Sequence, residues 1–183
     1  AIGQGYTQAT PLQLAVMTAR LVNGGKRVEP WVTAYIGKRR VHDTKWPRLD
    51  FAKRHLSMIE EAMADAVNAR TGTAYQARIK GDGMHMGGKT GTSQIRRITR
   101  EQREAGIIAQ SELPWKLRHH ALFVGYAPVD NPRYAAAVVV EHGGSGSSAA
   151  APVVRDILKT TQRRDPASTA IEPGGVQETL NKG

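Results

Sequence analysis

Residues 83–90, Gly83-Met84-His85-Met86-Gly87-Gly88-Lys89-Thr90, satisfy G-x-x-x-x-G-K-[ST], so the backbone of Lys89 to Thr92 decides between two unlike folds. A phosphate-binding loop needs a buried apolar strand ending at the first glycine. It also needs a helix opening at the lysine, so that free amides face the phosphates. The flanks supply neither. Residues 76–82 are polar, and Thr90-Gly91-Thr92-Ser93 puts a glycine and two β-branched threonines where the first helical turn belongs. No later apolar strand ends in a magnesium-ligating aspartate. The competing geometry is a strand at the rim of a cleft. Thr90 and Thr92 then share one face because the side-chain period is two, and Gly91 lets a ligand approach the backbone. Lys89 adds positive potential, and one ammonium with two hydroxyls suits a ligand carrying a free terminal carboxylate.

Spacing and turn residues place that strand in an α+β chain. Thr10-Pro11-Leu12-Gln13 reads as a capping box with proline at the first helical position, opening a helix to about Asn23. Leu12, Ala15, Val16, Ala19 and Val22 are its expected buried stripe, and Gly24-Gly25 offer a left-handed stop. A short strand is expected over 29–36. A second helix is expected over 52–69, with Leu56, Ile59, Met63 and Ala66 or Val67 inward and Glu60, Glu61 and Asp65 on other faces. Thr71-Gly72-Thr73-Ala74 breaks that pattern, and extended backbone should cover 84–95.

A polar connection over 96–118 follows, with a helical turn expected at 99–105. Residues 119–127 and 133–141 read as an antiparallel hairpin around Pro128-Val129-Asp130-Asn131-Pro132. The unbroken apolar run 135–140 predicts a strand covered by helices on both faces. A glycine and serine loop over 143–148 leads into a helix over 150–163, with Val153, Val154, Ile157, Leu158 and Thr161 inward and Pro152 in its first turn. From residue 164 on, the prolines and glycines among polar residues predict a disordered tail, 164–183.

The formal charge is +10, from 26 lysines and arginines against 16 carboxylates. Half of that excess lies in 36–55, where Lys38, Arg39, Arg40, Lys45, Arg48, Lys53 and Arg54 face only Asp43 and Asp50. A solvated basic face explains it. Nucleic-acid recognition would want a recognition helix or an aromatic stacking platform beside those charges, and the sequence shows neither. The absence of cysteine excludes disulfides and thiolate metal sites. No apolar run approaches the roughly 20 residues that span a bilayer. The chain begins at Ala1 rather than Met, and Ala1-Ile2-Gly3-Gln4-Gly5-Tyr6 reads as a loop entered part-way, so both ends are expected to be cuts in a longer protein.

Lys89-Thr90-Gly91 is also the third signature of penicillin-binding proteins and serine β-lactamases. Together with Ile2-Gly3-Gln4-Gly5-Tyr6, Ala9-Thr10-Pro11-Leu12-Gln13-Leu14-Ala15, Gly87 to Ser93, His120 to Pro128 and Val138 to Gly144, it makes residues 1 to about 160 resemble the class B penicillin-binding proteins. The elongation-type branch fits best. The resemblance implies the C-terminal part of a penicillin-binding, serine β-lactamase-like fold over 1–163, an antiparallel sheet covered by helices. It implies a D,D-transpeptidase that cross-links peptidoglycan stem peptides through a serine acyl-enzyme and is trapped by β-lactams. Lys89, Thr90, Gly91 and Thr92 would bind substrate, Lys89 and Thr92 also serving catalysis, the latter through its backbone amide as an oxyanion donor. No cofactor and no metal are implied. Cell-wall elongation proteins are the expected partners, and nucleic acid is not. The expected place is the periplasmic face of the inner membrane, with an anchor upstream.

The chain departs from that family in one respect. None of Ser57, Ser93, Ser111, Ser145, Ser147, Ser148 and Ser168 has Lys three residues on or Asn two residues on, so Ser-x-x-Lys and Ser-x-Asn are both absent. The fragment alone is expected to be inactive. Two other readings stand beside this one: a noncatalytic basic binding module and a nucleotide hydrolase. His119 and His120, adjacent on a strand, face opposite ways, and with His85 and His142 show no metal-ligand spacing. Glu60, Glu61 and Asp65 read as solvated acids, and Ser145 and Ser147 as a connection that borders the cleft.

Overall fold

The computed structural model describes residues 8–42, 45–81, 83–95 and 108–166, together with 100, 104 and 106. The opening residues 1–7, most of the turn expected at 99–105 and the tail from 167 lie outside the described residues.

Helix α1 spans Pro11–Val22 and is fixed at its start by the reciprocal cap read from the sequence. The Gln13 amide donates to the Thr10 hydroxyl at 3.2 Å, and the Thr10 amide donates to Gln13 Oε1 at 2.8 Å. Gly24 and Gly25 take positive φ at its exit. The buried stripe differs from expectation: Thr18 and Val22 are buried, whereas Leu12 is 59% exposed. Leucine, valine, methionine and alanine occupy most faces of this helix, so spacing alone does not choose which apolar stripe meets the sheet. Thr18 can sit inside because its hydroxyl donates to the Leu14 carbonyl at 2.9 Å.

The strand expected over 29–36 shrinks to β1, Tyr35–Ile36, paired with β2, Arg39–Arg40, across a tight turn. Pro30 lacks a donor for a ladder, and Val32 is fully exposed. Helix α2, Lys53–Asn68, buries Leu56, Met63 and Val67 as its period requires, while Ile59 stays part-exposed. Its exit depends on Gly72, where a Cβ would lie 2.5 Å from the Asp65 carbonyl oxygen.

Three strands form the central sheet in the order β3-β4-β5, all antiparallel: β3 Gly87–Ser93, β4 His120–Ala127 and β5 Tyr134–Val140. Strand alternation splits β4 between two cores. Phe123 and Gly125 face helix α3, Ala151–Arg164, where Val154 and Leu158 are buried. Val124 and Tyr126 face α1 and α2, where Val22 and Met63 pack. Helices thus lie on both faces of the sheet, and the α+β reading holds. Two details differ. The run 135–140 has α1 on one face and α3 on the other, as expected, yet its strand is the sheet's edge among the described residues and is only half-buried. Of the five inward positions expected on α3, only Val154 and Leu158 are buried, and Val153 and Ile157 are exposed.

Tyr126 ties the sheet to α2: its hydroxyl donates to the Glu60 carbonyl at 3.1 Å. Burial, with the Glu60 and Asp130 carboxylates nearby, pushes its phenol up to about 12. A folded-state value above the ordinary 10.0 means that the contribution to stability is complete below about pH 10 and is lost as pH rises toward 12. Urea midpoints measured across that window should fall, and Tyr126→Phe should remove this share of the slope.

Candidate active site

The backbone of residues 87–93 settles the question its sequence poses. It is a strand, paired residue for residue with β4, and no helix begins at Lys89. The nucleotide-hydrolase reading loses the helix N-terminus on which it depended.

Register then assigns faces. Partners across an antiparallel pair share a side, so Lys89 with Val124 and Gly91 with Leu122 lie toward α1 and α2. Thr90 with Phe123 and Thr92 with Ala121 lie on the other side. The two threonine hydroxyls share a face, as alternation predicts. The lysine starts on the opposite face and returns around the strand: its Nζ donates to the Thr90 carbonyl at 3.1 Å and to Thr90 Oγ1 at 3.3 Å. Thr90 Oγ1 donates onward to Thr73 Oγ1 at 3.4 Å.

Thr73 is the residue that sequence reasoning missed. The stretch 71–74 reads as nothing more than a helix break. Gly72 folds that break so tightly against the last turn of α2 that the next hydroxyl arrives at the motif. No local spacing signals a contact between side chains so far apart in the chain.

Thr73, Lys89, Thr90 and Gly91 line a groove of about 740 Å³ between α1, α2 and β3, and Thr92 lies beyond it. Its floor is apolar, with Leu14, Met17, Leu21, Ile59 and Met63, and polar groups lie at one end, with Thr71, Thr73, Lys89 and Thr90. An apolar trench with a few convergent polar groups is the usual form of a small-molecule or peptide site. Thr73 also lines a smaller polar cavity of about 240 Å³ with Arg70, Tyr75, Ser147 and Ser148.

The serine loop does more than connect. A π-helical turn, Gly146–Ala150, precedes α3, and Gly146 lies against the backbones of Gly91 and Leu122. Ser145 and Ser147 hydrogen-bond each other at 2.9 Å. The loop therefore buttresses the motif strand.

The histidines serve the backbone. The Ile95 amide donates to His119 Nδ1 at 3.4 Å, and the His142 amide donates to His120 Nδ1 at 2.9 Å. Among the described residues no three His, Asp or Glu side chains converge as a metal would require. Glu60 is less solvated than expected: it is half-buried, and that burial raises its carboxyl above the ordinary value. The basic segment also differs from its sequence reading. Trp31 stacks on His42 at 4.2 Å between centroids and 6° between planes, and on Trp46 at 4.7 Å and 26°, so a stacking platform does lie beside those charges.

Residues 1–159 match the family described as the penicillin binding protein transpeptidase domain. The chain belongs to that family. Among curated relatives, the peptidoglycan D,D-transpeptidase MrdA of Haemophilus influenzae is 35% identical over 162 residues, covering 86% of this chain and 24% of its own length. The protein of the same name from Acinetobacter baumannii is 34% identical over 177 residues, covering 92% of this chain and 25% of its own. The chain thus spans about a quarter of the length of these relatives. Among solved structures, Pseudomonas aeruginosa PBP2 in complex with WCK 5153 superposes with a TM-score of 0.67 at 36% identity, covering 86% of this chain and 30% of that one. The Helicobacter pylori PBP2 complex with MreC superposes at 0.69 and 25% identity, covering 89% and 26%. The transpeptidase fold and the elongation-type branch, penicillin-binding protein 2, agree with the sequence reading.

In this transpeptidase domain, Gly146 is the simplest probe of the buttress. A Cβ there would lie 2.4 Å from the Leu122 carbonyl oxygen and 2.6 Å from that of Gly91, both backbone atoms that cannot swing aside. Gly146→Ala should cost about 1–3 kcal/mol, read as a lower urea midpoint.

Proposed function

We propose that this chain forms one wall of the active site of a peptidoglycan D,D-transpeptidase, whose nucleophile lies in a preceding part of the same protein. The single observation that carries this reading is the extended Lys89-Thr90-Gly91-Thr92 strand, whose first three residues line a groove. Residues 1–163 are then the C-terminal part of the transpeptidase domain; the boundary expected at 164 moves slightly, because Arg164 ends α3 and Asp165 pairs with Arg133, and the proposed tail follows them. The serine hydroxyl attacks the carbonyl of the penultimate D-alanine of a stem peptide, and the terminal D-alanine leaves as the amine is protonated. An amine of a neighbouring strand then displaces the serine oxygen, forming the cross-link. β-Lactams mimic the donor and stop at the acyl-enzyme.

Each motif residue has a part that its position supports. Lys89 brings an ammonium to the polar end of the groove and hydrogen-bonds Thr90. Thr90 and Thr92, on one face, receive the substrate's terminal carboxylate, with Thr73 adding a third hydroxyl through Thr90. Gly91 leaves room at the strand for the substrate backbone. The Thr92 amide is the proposed oxyanion donor. Work at the periplasmic face of the inner membrane, an upstream anchor and elongation-protein partners follow from the same reading, as does the absence of any nucleic-acid role. The Helicobacter pylori relative solved with MreC supports the partner class. No helix among the described residues is long and apolar enough to cross a membrane.

The full-length protein should label covalently with a fluorescent penicillin, and residues 1–183 alone should not. Labelling of the isolated chain would overturn the division of the site. Lys89→Ala in the full-length protein should slow acylation by about 10²- to 10³-fold, the range for losing one preorganised electrostatic group. Thr73→Val should slow acylation by a penicillin several-fold but leave its methyl ester, which lacks the carboxylate, unaffected. Thr73→Ser should restore the rate.

A further inference from the structure

The basic segment between α1 and α2 has features that the active-site groove does not use. Residues 26–48 carry Lys26, Arg27, Lys38, Arg39, Arg40, Lys45 and Arg48 against Glu29 and Asp43, so half of the chain's formal excess of +10 sits on this short stretch. Among the described residues, Arg27 pairs with Glu29 at 3.8 Å, while Lys38, Arg39 and Arg40 form no salt bridge. The last two are the exposed strand β2, presented by the turn at Gly37, whose φ of 59° a glycine tolerates. Trp31, His42 and Trp46 stack in the same segment. Val32 and Ile36 are exposed beside them, the latter by 61%.

Cations, stacked rings and exposed aliphatic groups on one lobe suit a ligand that is both anionic and ring-bearing. Sugar rings offer flat C–H faces to indole, and carboxylates accept paired N–H bonds from guanidinium. Uncharged glycan would leave the arginines unused, and a simple polyanion would leave the rings unused. We propose that residues 26–42 and 45–48 are a docking surface for the peptidoglycan polymer, its sugar faces against the Trp31, His42 and Trp46 rings and its stem-peptide carboxylates on Lys38, Arg39 and Arg40. This occupant rests on the transpeptidase reading above. The lobe holds the polymer while the groove handles one stem peptide, and the attraction weakens as salt shortens its range.

The test is co-sedimentation of the full-length protein with purified peptidoglycan at low ionic strength, beside single-stranded oligonucleotide and phosphatidylglycerol vesicles. Fluorescent-penicillin labelling serves as the check on folding. Arg39→Glu with Arg40→Glu should weaken peptidoglycan binding by about tenfold, the scale of reversing two exposed charges. Should that variant lose its label, Arg39→Gln with Arg40→Gln decides instead. Peptidoglycan binding equal to wild type by a labelled variant overturns the proposal. So does tighter binding of wild type to the oligonucleotide or the vesicles than to peptidoglycan. If wild type does not label but its peptidoglycan binding still depends on Arg39 and Arg40, the transpeptidase reading falls and the docking surface stands.

Discussion

Seven residue pairs join β3 to β4, and that pairing closes only because β3 begins with two glycines. A Cβ on Gly87 would lie 2.4 Å from the Tyr126 ring, and one on Gly88 would lie 2.4 Å from the Phe123 ring. Each ring thus occupies the space beside a bare stretch of strand, one on each face, and each belongs to a different core. Tyr126 is held to α2 by its hydrogen bond to Glu60, and Phe123 packs in the cluster that includes Val154 and Leu158. The glycines that resemble a phosphate loop are packing residues, and they make the motif strand rigid where it carries Lys89, Thr90 and Thr92.

That rigidity separates two tasks within one edge strand. The first two residues, Gly87 and Gly88, are buried, while Lys89, Thr92 and Ser93 are exposed and Thr90 and Gly91 half-buried. The first half fixes position and the second half presents chemistry. Gly146 presses on the strand at Gly91, and Thr73 meets it at Thr90. Support therefore reaches the motif from the entry to α3 and from the exit of α2. A site held this way loses little geometry when a ligand arrives, which is the condition for preorganised electrostatic stabilisation.

Much of this is legible without coordinates, wherever the deciding interaction is local. The Thr10 and Gln13 cap, the glycine exit of α1, the hairpin of β4 and β5 and the face shared by Thr90 and Thr92 all follow from contacts within a turn or from alternation along a strand. The α1 stripe does not, because Leu14, Met17 and Leu21 are as apolar as the positions first chosen, and only the sheet decides which side is covered. The run 135–140 reads as enclosed because hydrophobicity reports an affinity for burial, whereas position in the sheet sets how much burial β5 receives. The Trp31, His42 and Trp46 stack escapes notice because three rings spaced irregularly along a loop carry no period.

From the order of its residues alone the chain determines where helices start and stop, that Lys89 lies on a strand and which hydroxyls share its face, because backbone preference and side-chain alternation act between near neighbours. Tertiary structure alone decides that Thr73 joins Thr90, that Gly146 backs Gly91 and that Lys89 curls around the strand to Thr90. The first two join segments remote in sequence, and the third is a choice of rotamer between neighbours that the surrounding groove sets. Their partners are selected by close packing of the whole domain, which no pattern of neighbouring residues encodes.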